Sequence, residues 1–89
     1  MVDESANTHA SNPVRAVVEV VVRALVDKPD SVHVHESSRR GMMVLELTTA
    51  PTDMGKIIGR QGRTAAALRT LVAVTAEKHG VRAQLDIRD

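Results

Sequence analysis

Gly55-Lys56-Ile57-Ile58-Gly59-Arg60-Gln61-Gly62-Arg63 gathers three of the chain's five glycines into nine residues and sets three cations among them. Arg69 follows, and from Met54 to Val72 there are four basic residues and no acidic one, in an 89-residue chain whose formal net charge is only +1. Positive charge is therefore concentrated around one glycine loop. Before the loop, Pro51 opens a short helix expected over 51–58. After it, Leu68, Leu71, Val72 and Thr75 keep a helical apolar stripe among alanines, which predicts a longer helix over about 63–79 with Gly80 as its C-terminal glycine. Gly59 and Gly62 bracket the bend between the two helices. Glycine has no Cβ, so it takes positive φ and lets another backbone come close. A helix that starts at such a bend points its free N–H groups and positive dipole end outward, where an anion is the natural visitor. Arg60 and Arg63 add charge-assisted contacts, and at least one of Ile57 and Ile58 is available to line an apolar groove beside them. Phosphate donors on one wall and aliphatic groups on the floor suit a single-stranded nucleic acid, held by its backbone with unstacked bases on the apolar surface.

The flanking sequence supplies the rest of a small α+β domain. Residues 1–12 (MVDESANTHASN) are small, polar and without period, and are expected to form a disordered tail. Asn12-Pro13 reads as an N-cap followed by proline at the first helical position. The valine-rich stretch 13–27 has strand propensity, but Arg15, Glu19, Arg23 and Asp27 recur every four residues with alternating sign. That spacing forms one charged stripe on a helix, opposite Val14, Val17, Val18, Val21, Val22 and Leu25, and Pro29 ends it. Residues 31–36 alternate as a strand, with Val32 and Val34 facing one way and His33 and His35 the other; 37–41 read as a turn. A second strand over 42–48 buries Met43, Leu45 and Leu47, and 81–88 alternates as a third with Val81, Ala83, Leu85 and Ile87 on one face. The order αββααβ makes the strands around the helix pair parallel through a right-handed crossover and the hairpin antiparallel. The expected result is a three-stranded mixed sheet with helices on one face.

Composition removes several functions. The chain has no aromatic residue, so bases cannot stack on rings, and no cysteine, so thiolate metal sites, disulfides and a cysteine nucleophile are excluded. No apolar run approaches the roughly 20 residues of a membrane span. The first residues carry Asp3 and Glu4 without an apolar stretch, so no signal peptide is expected and a soluble intracellular protein is the default. A P-loop needs G-x-x-x-x-G-K-[ST] after a strand; here the spacing differs and Arg60 follows Gly59. His33 and His35 share a strand face without an evident third ligand, so they read as solvated rather than as a metal site. Glu46 and Asp53 lack the company that acid–base catalysis needs, and Asp53 fits the first turn of the short helix. No enzyme activity, cofactor or metal is expected. Arg39-Arg40 in the hairpin either reach a nucleic acid or are merely solvated.

I-I-G-x-x-G after a short helix is the signature of KH domains, whose GXXG loop clamps about four nucleotides of backbone. The element order resembles the type II, bacterial KH arrangement. From Val14 to Asp89 the chain is similar to the small single-KH proteins of the KhpA (YlqC-like) family, through Ala24 to Asp30 (ALVDKPD), Ala50 to Arg63 (APTDMGKIIGRQGR) and Arg69 to Val72 (RTLV). The resemblance implies a single KH domain over 13–89 that binds single-stranded RNA, or single-stranded DNA, in the bacterial cytoplasm. It further implies an RNA chaperone or post-transcriptional regulator linked to cell elongation and division, cell shape and cell wall biogenesis. By position it makes Gly59, Arg60, Gln61 and Gly62 the clamp, flanked by Lys56, Ile57, Ile58 and Arg63. It also implies a homodimer and pairing with a larger KH protein, KhpB (Jag/EloR-like), which leaves open a chain that acts mainly as an interaction module for that partner. Independently of the family, any valine surface over 14–25 beyond what so small a sheet covers would mark a subunit interface. Doubling a weak four-nucleotide site would help by effective concentration.

Overall fold

A computed structural model describes residues 12–88, so the tail expected over 1–12 lies, but for Asn12, outside the described residues. Helix α1 (Pro13–Leu25) starts as its sequence requires: Asn12 accepts the backbone N–H groups of Val14 and Arg15 at 3.1 Å each, with proline at the first position. Strand β1 (His33–Arg39) and strand β2 (Met42–Thr48) form the hairpin. Helix α2 (Met54–Ile58), helix α3 (Arg63–Lys78) and strand β3 (Arg82–Arg88) complete the order αββααβ. The sheet runs β1-β2-β3, with β1 and β2 antiparallel and β2 and β3 parallel, which is the expected mixed topology.

All three helices pack on one side of the sheet. Val34, Leu45, Leu47 and Leu85 meet Val14, Val18 and Val22 of α1, Ile57 of α2, and Leu68, Val72 and Ala76 of α3 in a single core cluster. Leu45, Leu47 and Ile57 are each 0% exposed, and full burial of one such side chain contributes about 1.5–3 kcal/mol.

Four local readings need correction. The first helix ends at Leu25 rather than 27, because Val26 is already extended and the next two backbone N–H groups bond elsewhere. Ser37, Ser38 and Arg39 belong to β1, paired with Val44, Met43 and Met42. Their side chains are exposed at the sheet edge, so no apolar alternation marks them. The turn is only Arg40-Gly41, both at positive φ (53° and 78°), the geometry that two-residue hairpins favour. The segment 51–58 is a 3₁₀ turn (Pro51–Asp53) running into α2, not one helix. Val81, expected on the buried face of β3, is 41% exposed and lies before the strand.

Candidate nucleic-acid interface

Between α2 and α3 the chain makes a tight bend that only its sequence permits. Gly59 has φ 77° and ψ 170°, Gln61 φ 57° and ψ 28°, and Gly62 φ 72° and ψ 14°. Hydrogen bonds fix the bend: Gly59 N donates to Gly55 O at 2.9 Å and Gly62 N to Gly59 O at 3.1 Å. No side chain caps the start of α3, so the helix presents its first turn without an internal acceptor of that kind. Arg60, Gln61 and Arg63 are exposed there, and an Arg63 guanidinium N–H donates to Gln61 Oε1 at 3.0 Å. The predicted clamp residues thus come together as one exposed, cationic turn.

The flanking residues divide. Ile57 is 0% exposed and belongs to the core, so its side chain does not line a surface groove; it anchors α2 beneath the loop. Ile58, 39% exposed, is the apolar group left beside the bend. Lys56 reaches back to Asp27 Oδ2 at 3.3 Å, an exposed pair of the kind worth 0–1 kcal/mol.

Two features were not legible beforehand. Asp53, read as an ordinary first-turn acid, is 1% exposed; it accepts the backbone N–H of Asp27 at 3.1 Å and of Lys28 at 3.0 Å, one on each carboxylate oxygen. It ties the segment after α1 to the start of α2 across 26 positions of sequence. Nothing in local spacing links the two segments. The second feature is a hollow of about 450 Å³ between α3 and the edge of β3, lined by Arg69, Val72 and Leu85 among others. Arg69 stands on the exposed side of α3, and its signal in the sequence was its place in the acid-free basic stretch from Met54 to Val72. His33 and His35 are both exposed, and among the described residues no group of three or more His, Cys, Asp or Glu is placed to hold a metal ion. No helix among the described residues is long and apolar enough to cross a membrane.

Comparison with known proteins identifies the family. The model of the family described as KhpA/KhpB, KH domain matches residues 15–87. RNA-binding protein KhpA of Halalkalibacterium halodurans is 48% identical over 75 residues, covering 84% of this chain and 99% of that protein. RNA-binding protein KhpA of Clostridium perfringens is 44% identical over 73 residues, covering 82% and 97%. Among solved structures, a variant of Aquifex aeolicus Era bound to GDP.AlF4- superposes with a TM-score of 0.59 at 17% identity, over 83% of this chain and 29% of that one, a likeness of fold alone. Matched over most of its length by the family model and by these relatives, the chain belongs to the KhpA/KhpB KH-domain family.

Proposed function

We propose that this chain is a non-enzymatic, cytoplasmic protein that binds single-stranded RNA, gripping the sugar-phosphate backbone at Gly59 to Gly62. The observation that carries the reading is the bend itself: positive φ at Gly59, Gln61 and Gly62, with Arg60 and Arg63 exposed at the uncapped start of a 16-residue helix. Such a turn offers backbone donors at close range and guanidinium groups beside them. Ile58 and the partly exposed Met42 and Ala83 of the hollow beside Arg69 offer aliphatic surface for unstacked bases. Without aromatic side chains, base discrimination rests on hydrogen bonds and shape. The test is Arg60→Asp with Gln61→Asp. Both side chains are exposed, so folding is expected to be unchanged while crosslinking to RNA is lost; parental binding that weakens steeply with salt is the companion signature of phosphate contacts.

A second reading makes the domain chiefly an interaction module whose larger KH partner supplies most of the RNA binding. It is favoured by apolar surface left on the helices: Val20 is 69% exposed beside Ala16, Val17 and Val21 on α1, and Leu71 and Val74 of α3 are 40% and 58% exposed. The same surface supports self-association. A double variant that binds RNA as the parent does favours the module reading.

A further inference from the structure

We infer that the open face of the sheet carries a second RNA-contact surface, built from Arg39, Arg40 and Arg82 over a floor of Met42 and Val44. The inference rests on the RNA-binding reading above and extends it to a face remote from the glycine bend.

The register puts the arginines in one row. Arg39 pairs with Met42, and Met42 with Arg82, while Arg40 occupies the adjoining turn. Leu45 and Leu47 point into the core, so Met42 and Val44 point to the opposite, helix-free side. There the three arginines, Met42, Val44 and Gln84 line a hollow of about 310 Å³, with Val44 at its floor only 2% exposed.

Charge pairing separates this row from Arg15, Arg23, Lys56 and Arg88 and likens it to the bend, where Arg60 and Arg63 are without a carboxylate partner among the described residues as well. Arg15 and Arg23 meet Glu19, Lys56 meets Asp27, and Arg88, on the same strand and face as Arg82, meets Glu46 at 3.2 Å. Among the described residues no carboxylate lies within 4.0 Å of Arg39, Arg40 or Arg82. Glu77 shares a shallow hollow with Arg82, and Asp86 on the same strand accepts the Gln84 amide at 2.9 Å. Three guanidinium groups around an aliphatic floor are the chemistry of a nucleotide: bidentate donors for phosphate, and planar cations and apolar surface for a base face. In a chain without aromatic residues, guanidinium planes are the only stacking partners apart from histidine.

Position makes the surface an addition to the bend rather than part of it. The bend lies at the N-terminal end of α3 and Arg82 follows its C-terminal end, so the helix's 16 residues, about 24 Å of rise, separate the two sites. The roughly four nucleotides that a GXXG loop clamps occupy the first site alone. A longer strand has a route between them, because Met42 and Gln84 line both the arginine hollow and the one beside Arg69 and Leu85. Asp86 lines that middle stretch, which therefore suits base amino groups rather than phosphates.

The test compares a 12-nucleotide with a 4-nucleotide single-stranded RNA on Arg39→Gln, Arg40→Asn and Arg82→Gln combined; asparagine suits the left-handed turn position. Loss of three phosphate contacts lowers the slope of log affinity against log salt by about 2, which is about 100-fold in affinity at 0.1 M salt relative to 1 M. The expected result is that loss for the 12-mer, no change for the 4-mer, an unchanged melting temperature, and recovery of the slope when all three positions are lysine. A 12-mer isotherm that matches the parent in affinity and slope overturns the inference. The Arg60→Asp, Gln61→Asp variant run alongside keeps the two ideas apart. If it loses both RNAs while the triple variant loses neither, only the open-face surface is refuted; if it binds both as the parent does, the reading of the bend fails instead.

Discussion

Alanine at Gly59 and alanine at Gly62 should differ sharply, although both residues sit at positive φ in the same four-residue bend. A Cβ built on Gly59 would lie 2.3 Å from Thr64 Oγ1, 2.7 Å from Thr64 Cβ and 2.8 Å from the Thr64 backbone nitrogen. Rotating the threonine relieves the first contact but not the last, because the nitrogen is part of α3. The helix start must move, and overpacking of that kind costs about 1–3 kcal/mol. The backbone adds to this. With φ 77° and ψ 170°, Gly59 occupies a region that is essentially glycine-only, at a further cost of about 1–3 kcal/mol for any other residue. Gly62 has φ 72° and ψ 14°, the ordinary left-handed well, and a Cβ there meets nothing within 4 Å. Its replacement costs about 1–2 kcal/mol. We therefore expect Gly59→Ala to lose about 2–6 kcal/mol, enough to unfold much of a domain whose whole stability is of order 5–10 kcal/mol, and Gly62→Ala to remain folded. Urea titration followed by circular dichroism measures both. Equal losses, or a loss below 1 kcal/mol for Gly59→Ala, would refute the steric account of the bend. The Gly62 variant carries a second reading. Its added methyl points into open space on the loop, where a ligand backbone would approach, so RNA affinity should fall more than the modest stability loss explains.

Asp53→Ala removes the acceptor of two backbone N–H groups at once. With charge-assisted hydrogen bonds worth about 1.5–3 kcal/mol each, a loss of about 3 kcal/mol is expected in urea titration, and Asp53→Asn, which keeps one acceptor oxygen, should lose roughly half as much. Asn12→Ala removes the cap of α1 and should cost about 1 kcal/mol, a shift of about 4–8 °C in melting temperature for a domain of this size.

Periodicity placed α1, α3 and the three strands, while the five-residue α2, with only Ile57 buried, was marked by Pro51 before it and Gly59 after it. α1 was legible against its own valine propensity because Arg15, Glu19 and Arg23 keep the four-residue interval that the ion pairs at 3.1 and 4.0 Å now occupy. β1 was cut short at its exposed end, where Ser37 and Ser38 are held by backbone pairing with Val44 and Met43, an interaction that leaves no trace in side-chain polarity. The bend was readable from Gly59 and Gly62 because positive φ confines the choice of residue. Which of Ile57 and Ile58 faces the core depends on how α2 is rotated. That rotation is tied by Asp53 to residues 27 and 28, a tertiary link with no local signature.

The same link bears on how the bend can work. α2 has only five residues and is too short to be stable alone. It is held by three ties: Ile57 is sunk in the core, Asp53 at its start is bonded to the segment after α1, and Lys56 reaches Asp27 of that segment. On the far side Gly59 is wedged against Thr64 at the start of α3. The bend is thus fixed at both ends before any ligand arrives, and its left-handed residues are held in place by the surrounding fold. A site that contacts only about four nucleotides has little interaction energy with which to offset the ordering of a loose loop. Preorganisation lowers that cost, and it also explains why a protein with an unremarkable net charge needs so few cations at the bend: each acts from a fixed position.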